Sequence, residues 1–291
     1  MSIERVAVLG GGLMGSGIAE AVAVAGLPVV VREIDDRALA AARERIDGSL
    51  EHAVARRKLS GAERDRALAG IDFTTELDDL AGVDLVIEAV PEDSDLKVAV
   101  LSGVAAVVGP RAILASNTSS IPIAQLAAGV PSPDRVVGLH FFSPVPVMRL
   151  VEVVVALDSS PETVEAAKAF VERIGKRAIE TKDRSGFIVN MLLVPYLISA
   201  VRMYEEGFAD REAIDEGMRL GCGHPMGPLA LCDLIGLDVL HSVCESLYEE
   251  FKQPEYAPPP LLKRMVASTR LGRKSGIGFY SYAREPARLA A

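Results

Sequence analysis

The chain has 291 residues, 49% apolar and 24% charged, which excludes a disordered tail or a small disulfide scaffold and leaves room for two domains. Its 31 basic and 40 acidic residues give a net charge of −9, which argues against a general nucleic-acid binder, because neutralising phosphates needs a basic face. Three cysteines, Cys222, Cys232 and Cys244, lack C-x-x-C spacing and suggest neither a disulfide framework nor a zinc site, so a reducing cytoplasm is expected.

Met1 to Arg5 carries an acid and a base before a short apolar run, unlike an export signal. Through about Asp183, β-branched runs alternate with Ala-rich helical segments, the pattern of parallel βαβ units. Strands are expected at Val6 to Leu9, Val29 to Arg32, Asp84 to Ala89, Ala112 to Ser116, Val136 to Leu139 and Leu150 to Val155. Helices are expected at Leu13 to Ala25, Asp36 to Lys58, Asp95 to Val108 and Pro161 to Ile174. Beyond Arg184 the apolar residues recur at helical spacing through Phe187 to Phe208, Arg211 to Leu220, Leu237 to Phe251 and Pro260 to Ala267. The apolar stretch Gly186 to Val201 falls short of a membrane span and reads as a buried helix. The expected fold is therefore α/β, a Rossmann-type doubly wound sheet over residues 1–183 followed by an all-α domain over 184–291. Residues 1–183 hold 19 basic and 27 acidic side chains, and 184–291 hold 12 and 13. A nearly neutral, apolar helical domain suggests contact with a second subunit.

The first chemical signal is Val6-Ala7-Val8-Leu9-Gly10-Gly11-Gly12-Leu13-Met14-Gly15, a strand running into G-x-G-x-x-G and then a helix. Gly10 permits the turn, Gly12 lets the backbone approach a pyrophosphate, and Gly15 lets helix pack on strand. The second strand ends at Glu33, where a carboxylate suits the adenosine ribose 2′-hydroxyl, so NAD is favoured over NADP. Glu33 or Asp35 starting the next helix is the competing reading, and Arg32 weakens the exclusion of a 2′-phosphate.

Hydroxyls cluster in Ser116-Asn117-Thr118-Ser119-Ser120 at a strand's carboxyl end, where such sheets bind ligands. Ser119 or Ser120 could equally cap the following helix. Of the four histidines, His140 follows the strand Val136 to Leu139 and opens His140-Phe141-Phe142, and His224 lies in a Gly- and Pro-rich turn. Twelve residues after His140, Glu152 interrupts the apolar strand Leu150 to Val155. A buried carboxylate there needs a partner, which an imidazole supplies while its own tautomer is fixed. On an edge strand, Glu152 would simply face water. Asn190 is a buried amide seeking partners in structure or ligand. There is no metal-ligand cluster.

Taken together, the ordered motifs resemble the L-3-hydroxyacyl-CoA dehydrogenases, and among them the stand-alone bacterial 3-hydroxybutyryl-CoA dehydrogenases. The motifs are Gly10 to Gly17, Ile87-Glu88-Ala89-Val90-Pro91-Glu92, Ala115 to Ser120, His140-Phe141-Phe142, Gly186 to Asn190, His224 to Pro228 and Leu271 to Gly276. The resemblance implies His140 as general base, Glu152 as its orienting partner, and Ser119 and Asn190 as polar groups on the substrate. It puts Gly10, Gly12, Leu13, Met14, Gly15, Glu33, Glu92, Lys97, Ser119, Ser143 and Lys274 at an NAD cofactor. It also puts Ser49 and Arg56 at an acyl-CoA, with Arg56-Arg57-Lys58 as a phosphate clamp or a solvated face. Ser143 departs from the Asn that many relatives carry. A soluble homodimer without membrane or nucleic-acid partners is implied. Alternatives are a dehydrogenase of a free hydroxy or sugar acid such as gulonate, a 3-hydroxyadipyl-CoA dehydrogenase, or a dinucleotide-sensing protein with a vestigial site.

Overall fold

Residue alternation builds the first unit. In β1 (Val6–Leu9), Val6 and Val8 pack with Ile18, Ala42 and Phe170 in one layer, while Ala7 and Leu9 pack with Leu80, Leu101 and Val104 in the other. A strand buried on both faces needs apolar residues at every position, as a parallel sheet between helices demands. Each of the Val and Leu side chains contributes about 1.5–3 kcal/mol of burial.

The computed structural model describes residues 2–282; Met1, and the stretch 283–291 that closes the expected second domain, lie outside the described residues. The first unit ends at Phe187. It runs β1, α1 (Leu13–Val24), β2 (Val29–Arg32), α2 (Asp36–Ala55), α3 (Gly61–Ala69), β3 (Ile71–Thr74), β4 (Leu85–Glu88), α4 (Ser94–Ala105), β5 (Ile113–Ser116), α5 (Ile123–Ala127), β6 (Val136–Phe141), β7 (Leu150–Val155), α6 (Pro161–Arg173) and β8 (Arg177–Lys182). The strands form one sheet in the order β3-β2-β1-β4-β5-β6-β7-β8. The order reverses between β1 and β4, the point where open α/β sheets bind ligands beyond the carboxyl ends of their strands.

Three features differ from the sequence expectation. β7 runs antiparallel to β6, because the link 142–149 is too short for the dozen or more residues of a crossover. β3 and α3 complete the first half of the sheet. β8, whose residues are exposed or half-buried throughout, pairs parallel with β7 and removes it from the edge.

The second unit begins at Ile188 and contains α7 (Val189–Glu205), α8 (Arg211–Cys222), α9 (Pro228–Ile235), α10 (Leu237–Phe251) and α11 (Pro260–Ala267). Leu197, Val201, Leu229, Cys232, Leu240, Leu247 and Leu262 form its core. α9 is absent from the sequence expectation. Its first amides, Leu229 and Ala230, donate to Asp215 of α8 at 2.7 and 2.9 Å. Asp233 of α9 accepts from the amides of Phe279 and Tyr280, both at 2.9 Å, and so ties down a small bridged turn at Gly272, Ile277 and Ser281. The three cysteines are free, with Cys232 and Cys244 buried and their thiols pushed up by burial, Cys244 to about 12. Among the described residues no helix is long and apolar enough to cross a membrane.

Candidate functional site

The glycine turn after β1 divides its labour. Gly10 has φ +92°, and a Cβ there would lie 2.8 Å from the Ala89 carbonyl oxygen at the end of β4. A Cβ on Gly15 would overlap the Gly10 carbonyl oxygen, so both positions are set by packing. Gly12 is different: a Cβ there meets nothing within 4 Å. It is the N-cap of α1 and places no side chain on the first-turn amides, so the positive end of the helix is bare of a side-chain cap. Leu13 stands 73% exposed beside it and Met14 is half-buried.

Glu33, at the end of β2, accepts hydrogen bonds from the Gly11 amide at 2.6 Å and the Ile34 amide at 3.1 Å. Asp35, not Glu33, caps α2 by accepting from Ala38 N–H. Arg32 donates its Nε to the Thr75 carbonyl at 3.2 Å, away from that turn, whereas Arg45 donates to the Gly11 carbonyl at 3.1 Å. An uncapped helix N-terminus plus a carboxylate beside the same turn fits a dinucleotide: the amides suit a pyrophosphate and Glu33 a ribose diol.

Along the carboxyl ends of β4 and β5 lies a buried ionic cluster. Lys97 of α4, 1% exposed, donates to Glu88 at 2.7 Å, to the Val90 carbonyl at 3.2 Å and pairs with Glu92 at 3.2 Å. Glu88 also accepts from Ser116 Oγ at 2.5 Å and Val90 N–H at 2.7 Å. Glu92 accepts from Thr118 Oγ1, Ser119 N–H and Ser120 Oγ. Burial alone would raise the Glu92 carboxyl, but the Lys97 charge and these hydrogen bonds outweigh it and hold it below the ordinary value. The cluster fixes the loop that carries Ser119, itself half-buried. Neither Ser119 nor Ser120 caps α5; Asp183, just past β8, accepts from the Ile123 and Ala124 amides at 2.8 and 2.7 Å.

His140 and Glu152 face each other across the β6–β7 pair, in direct register. His140 Nδ1 lies 2.7 Å from Glu152 Oε2, and Glu152 is 0% exposed, so the expectation that it might face water fails because β8 covers its strand. The rings of Phe142 and Phe187 stand 4.5 and 5.4 Å from the imidazole. With Nδ1 engaged by a carboxylate, Nε2 is the nitrogen left for a second partner. Among the described residues no group of His, Cys, Asp and Glu side chains could hold a metal ion.

The remaining expected positions are distributed. Ser49, half-buried on α2, hydrogen-bonds the buried Glu20 of α1. Arg56 is exposed at the C-cap of α2 with Arg57 and Lys58, and Ser143 is exposed after β6. In the second unit, Asn190 is half-buried in the first turn of α7, and Lys274 pairs with Asp238 at 2.5 Å. His224 Nδ1 lies 3.1 Å from the Tyr196 hydroxyl. Glu88, Ser116 and Asn117 belong to the first unit's network; the sequence placed Ser116 and Asn117 in the cluster at a strand's carboxyl end but gave neither an individual role, and Glu88 only a place in a motif.

Residues 5–184 match the 3-hydroxyacyl-CoA dehydrogenase NAD-binding domain, and residues 186–282 match the C-terminal domain of the same family. A 3-hydroxybutyryl-CoA dehydrogenase of Mycobacterium tuberculosis is 52% identical over 283 residues, 97% of this chain and 99% of the relative. The crystal structure of M. tuberculosis FadB2 superposes with a TM-score of 0.96 at 52% identity, over 97% of this chain and all of that one. The crystal structure of (S)-3-hydroxybutyryl-CoA dehydrogenase PaaH1 from Ralstonia eutropha gives 0.92 at 47%, again over 97% of this chain and all of that one. A glycine turn beside a ribose-suited carboxylate and a buried His–Glu pair thus occur in a chain whose two halves match one family in order, and the chain belongs to the 3-hydroxyacyl-CoA dehydrogenases.

Proposed function

We propose that the chain interconverts a short-chain (S)-3-hydroxyacyl-CoA, 3-hydroxybutyryl-CoA, with the 3-ketoacyl-CoA acetoacetyl-CoA, using NAD. The observation that carries this reading is the buried His140–Glu152 pair at the end of β6. Glu152 accepts a hydrogen bond from Nδ1–H, which leaves the Nε2 lone pair to take the C3 hydroxyl proton; in the reductive direction protonated His140 returns it. The carboxylate also stabilises the positive imidazole that forms, and the flanking phenyl rings exclude water. Ser119 and Asn190 supply polar groups to the substrate's oxygens. Gly10, Gly12, Leu13, Met14, Gly15 and Glu33 hold the dinucleotide, with Glu92, Lys97 and Ser143 toward its nicotinamide end, and Lys274 is assigned to the cofactor as well. Bound NAD accepts or supplies the hydride at C3. Ser49 and Arg56 are assigned to the CoA portion, for which an exposed cationic helix end is suited.

The test is nicotinamide absorbance with acetoacetyl-CoA, free acetoacetate and gulonate offered in parallel. Turnover with the thioester and little with the free acids is expected; a preference for either free acid would overturn the CoA assignment. We further infer that the helical unit forms a homodimer in a reducing cytoplasm, supported by Leu192, Phe208 and Leu220, which are large apolar side chains left exposed. Light scattering should return twice the 30.9 kDa chain mass.

A further inference from the structure

The pairing of β5 with β6 ends at Ser116 opposite Gly138, yet β6 continues to Phe141. His140 therefore sits on a stretch of strand that the backbone of β5 no longer supports. Asn117, the first residue beyond β5, takes over. Its amide donates to the Glu88 carbonyl at 2.8 Å, and its side-chain Oδ1 accepts the Phe141 amide at 2.9 Å. A backbone N–H only donates, so the Asn117 oxygen must face it, which turns the NH₂ group the other way. The anchor is itself rigid, because the Glu88 carboxylate is fully buried and engaged by Lys97, Ser116 and Val90.

We propose that Asn117 is a positioning residue for His140. The imidazole is held at two points, by Glu152 at the ring and by Asn117 through the adjoining Phe141 amide. The side chain extends the β5–β6 ladder by one bond where the backbone cannot, and so fixes the direction in which Nε2 points. A proton acceptor displaced by an ångström loses most of its advantage, so this bond bears on turnover more than on binding. The inference rests on the reading of His140 as the proton-transfer group.

The experiment compares Asn117→Ala with Asn117→Asp, whose oxygen occupies the same place. With acetoacetyl-CoA and NADH, Asn117→Ala is expected to lower kcat by about tenfold to a hundredfold, with KM for NADH within about twofold. Asn117→Asp is expected to retain kcat within about threefold. An Ala variant with kcat within twofold of the parent, an Asp variant as impaired as Ala, or losses matched by a rise in KM for NADH would each overturn the proposal. A second readout does not need turnover: the ¹⁵N resonances of the His140 ring should move in Asn117→Ala and stay in Asn117→Asp. If the parent chain turns over none of the substrates, the reading of His140 fails; if the resonances stay in both variants, the positioning role fails. Should Asn117→Ala not fold, amide exchange in the parent chain decides. Phe141 N–H should be strongly protected, and exchange as fast as in the following loop would overturn the assignment.

Discussion

Exchanging Glu152 for Gln removes the carboxylate charge from the buried pair while keeping an oxygen acceptor for His140. The amide oxygen still accepts from Nδ1–H, the volume is nearly unchanged, and the strand pairing on both sides of β7 is backbone-mediated. Glu152 Oε2 lies 2.7 Å from His140 Nδ1, which puts the charge centres about 4 Å apart and their attraction at about 4 kcal/mol for an effective dielectric near 20. If the imidazole carries about half its final charge in the transition state, the substitution forfeits about 2 kcal/mol, or roughly a thirtyfold loss in kcat. Stability should hold or rise, because burying a neutral amide avoids the desolvation of a carboxylate. The assay is steady-state oxidation of NADH with acetoacetyl-CoA, run beside a thermal melt. A kcat within threefold of the parent would refute the claim that Glu152 stabilises charge on His140, and a lower melting temperature in proportion to the lost activity would reassign it to structure. His140→Ala provides the ceiling, a loss of about 10²–10⁴-fold.

Gly12→Ala should leave the melting temperature unchanged, since a Cβ there meets nothing, yet weaken NADH at least about tenfold; Gly15→Ala, whose Cβ would overlap the Gly10 carbonyl, should fail to fold. Equal melting temperatures for the two would refute that division. With Arg32 committed to Thr75 and Glu33 beside the Gly11 amide, kcat/KM should favour NADH over NADPH by at least about tenfold, and parity would show that a cation governs the pocket. Arg56→Glu should raise KM for acetoacetyl-CoA several-fold and leave KM for NADH alone; equal effects on both would return Arg56 to a solvated face. Burial pushes the Glu20 carboxyl above its ordinary 4.5, with the Ser49 hydrogen bond and the Lys176 charge opposing. The folded chain then keeps a proton that the unfolded chain has released, so this group's contribution to stability falls as pH rises from about 4.5 through the raised value. Glu20→Gln should flatten that decline in melting temperature, and an unchanged slope would refute it.

What was legible in the sequence is what the chain writes locally. The glycine turn is one strand, one turn and one helix in succession, so its packing roles follow from spacing. The His140–Glu152 pair was legible because a carboxylate inside an apolar strand needs a partner and an imidazole suits it; the antiparallel register that puts the two face to face was not. What stayed open depended on segments without a pattern of their own. Arg177–Lys182 has no apolar alternation, being the outermost strand with neither face sealed, so nothing announced that it would cover β7 and bury Glu152. The cap of α5 stayed ambiguous for a similar reason: it comes from Asp183, about sixty residues away in the chain. Lys97 reads as one more helical lysine, and its burial follows only once β4 and β5 bring Glu88 and Ser116 together at their carboxyl ends.

The two buried ion pairs near this end of the sheet differ in what they leave available. Isolating a charge in the interior costs several kcal/mol, so Glu88 and Glu152 both require a cation or a donor. Glu88 has Lys97, whose ammonium has three protons and meets three oxygens, those of Glu88, Val90 and Glu92. With all three N–H bonds engaged, the cluster is a fixed frame for the Ser119 loop. Glu152 has an imidazole, and it engages one nitrogen of two. In the proposed mechanism His140 exchanges a proton at Nε2 without breaking the bond at Nδ1. On the proposed reading the lysine pair holds the geometry constant while His140 takes up and returns the hydroxyl proton, the division of roles that oxidation by proton and hydride removal asks of the protein.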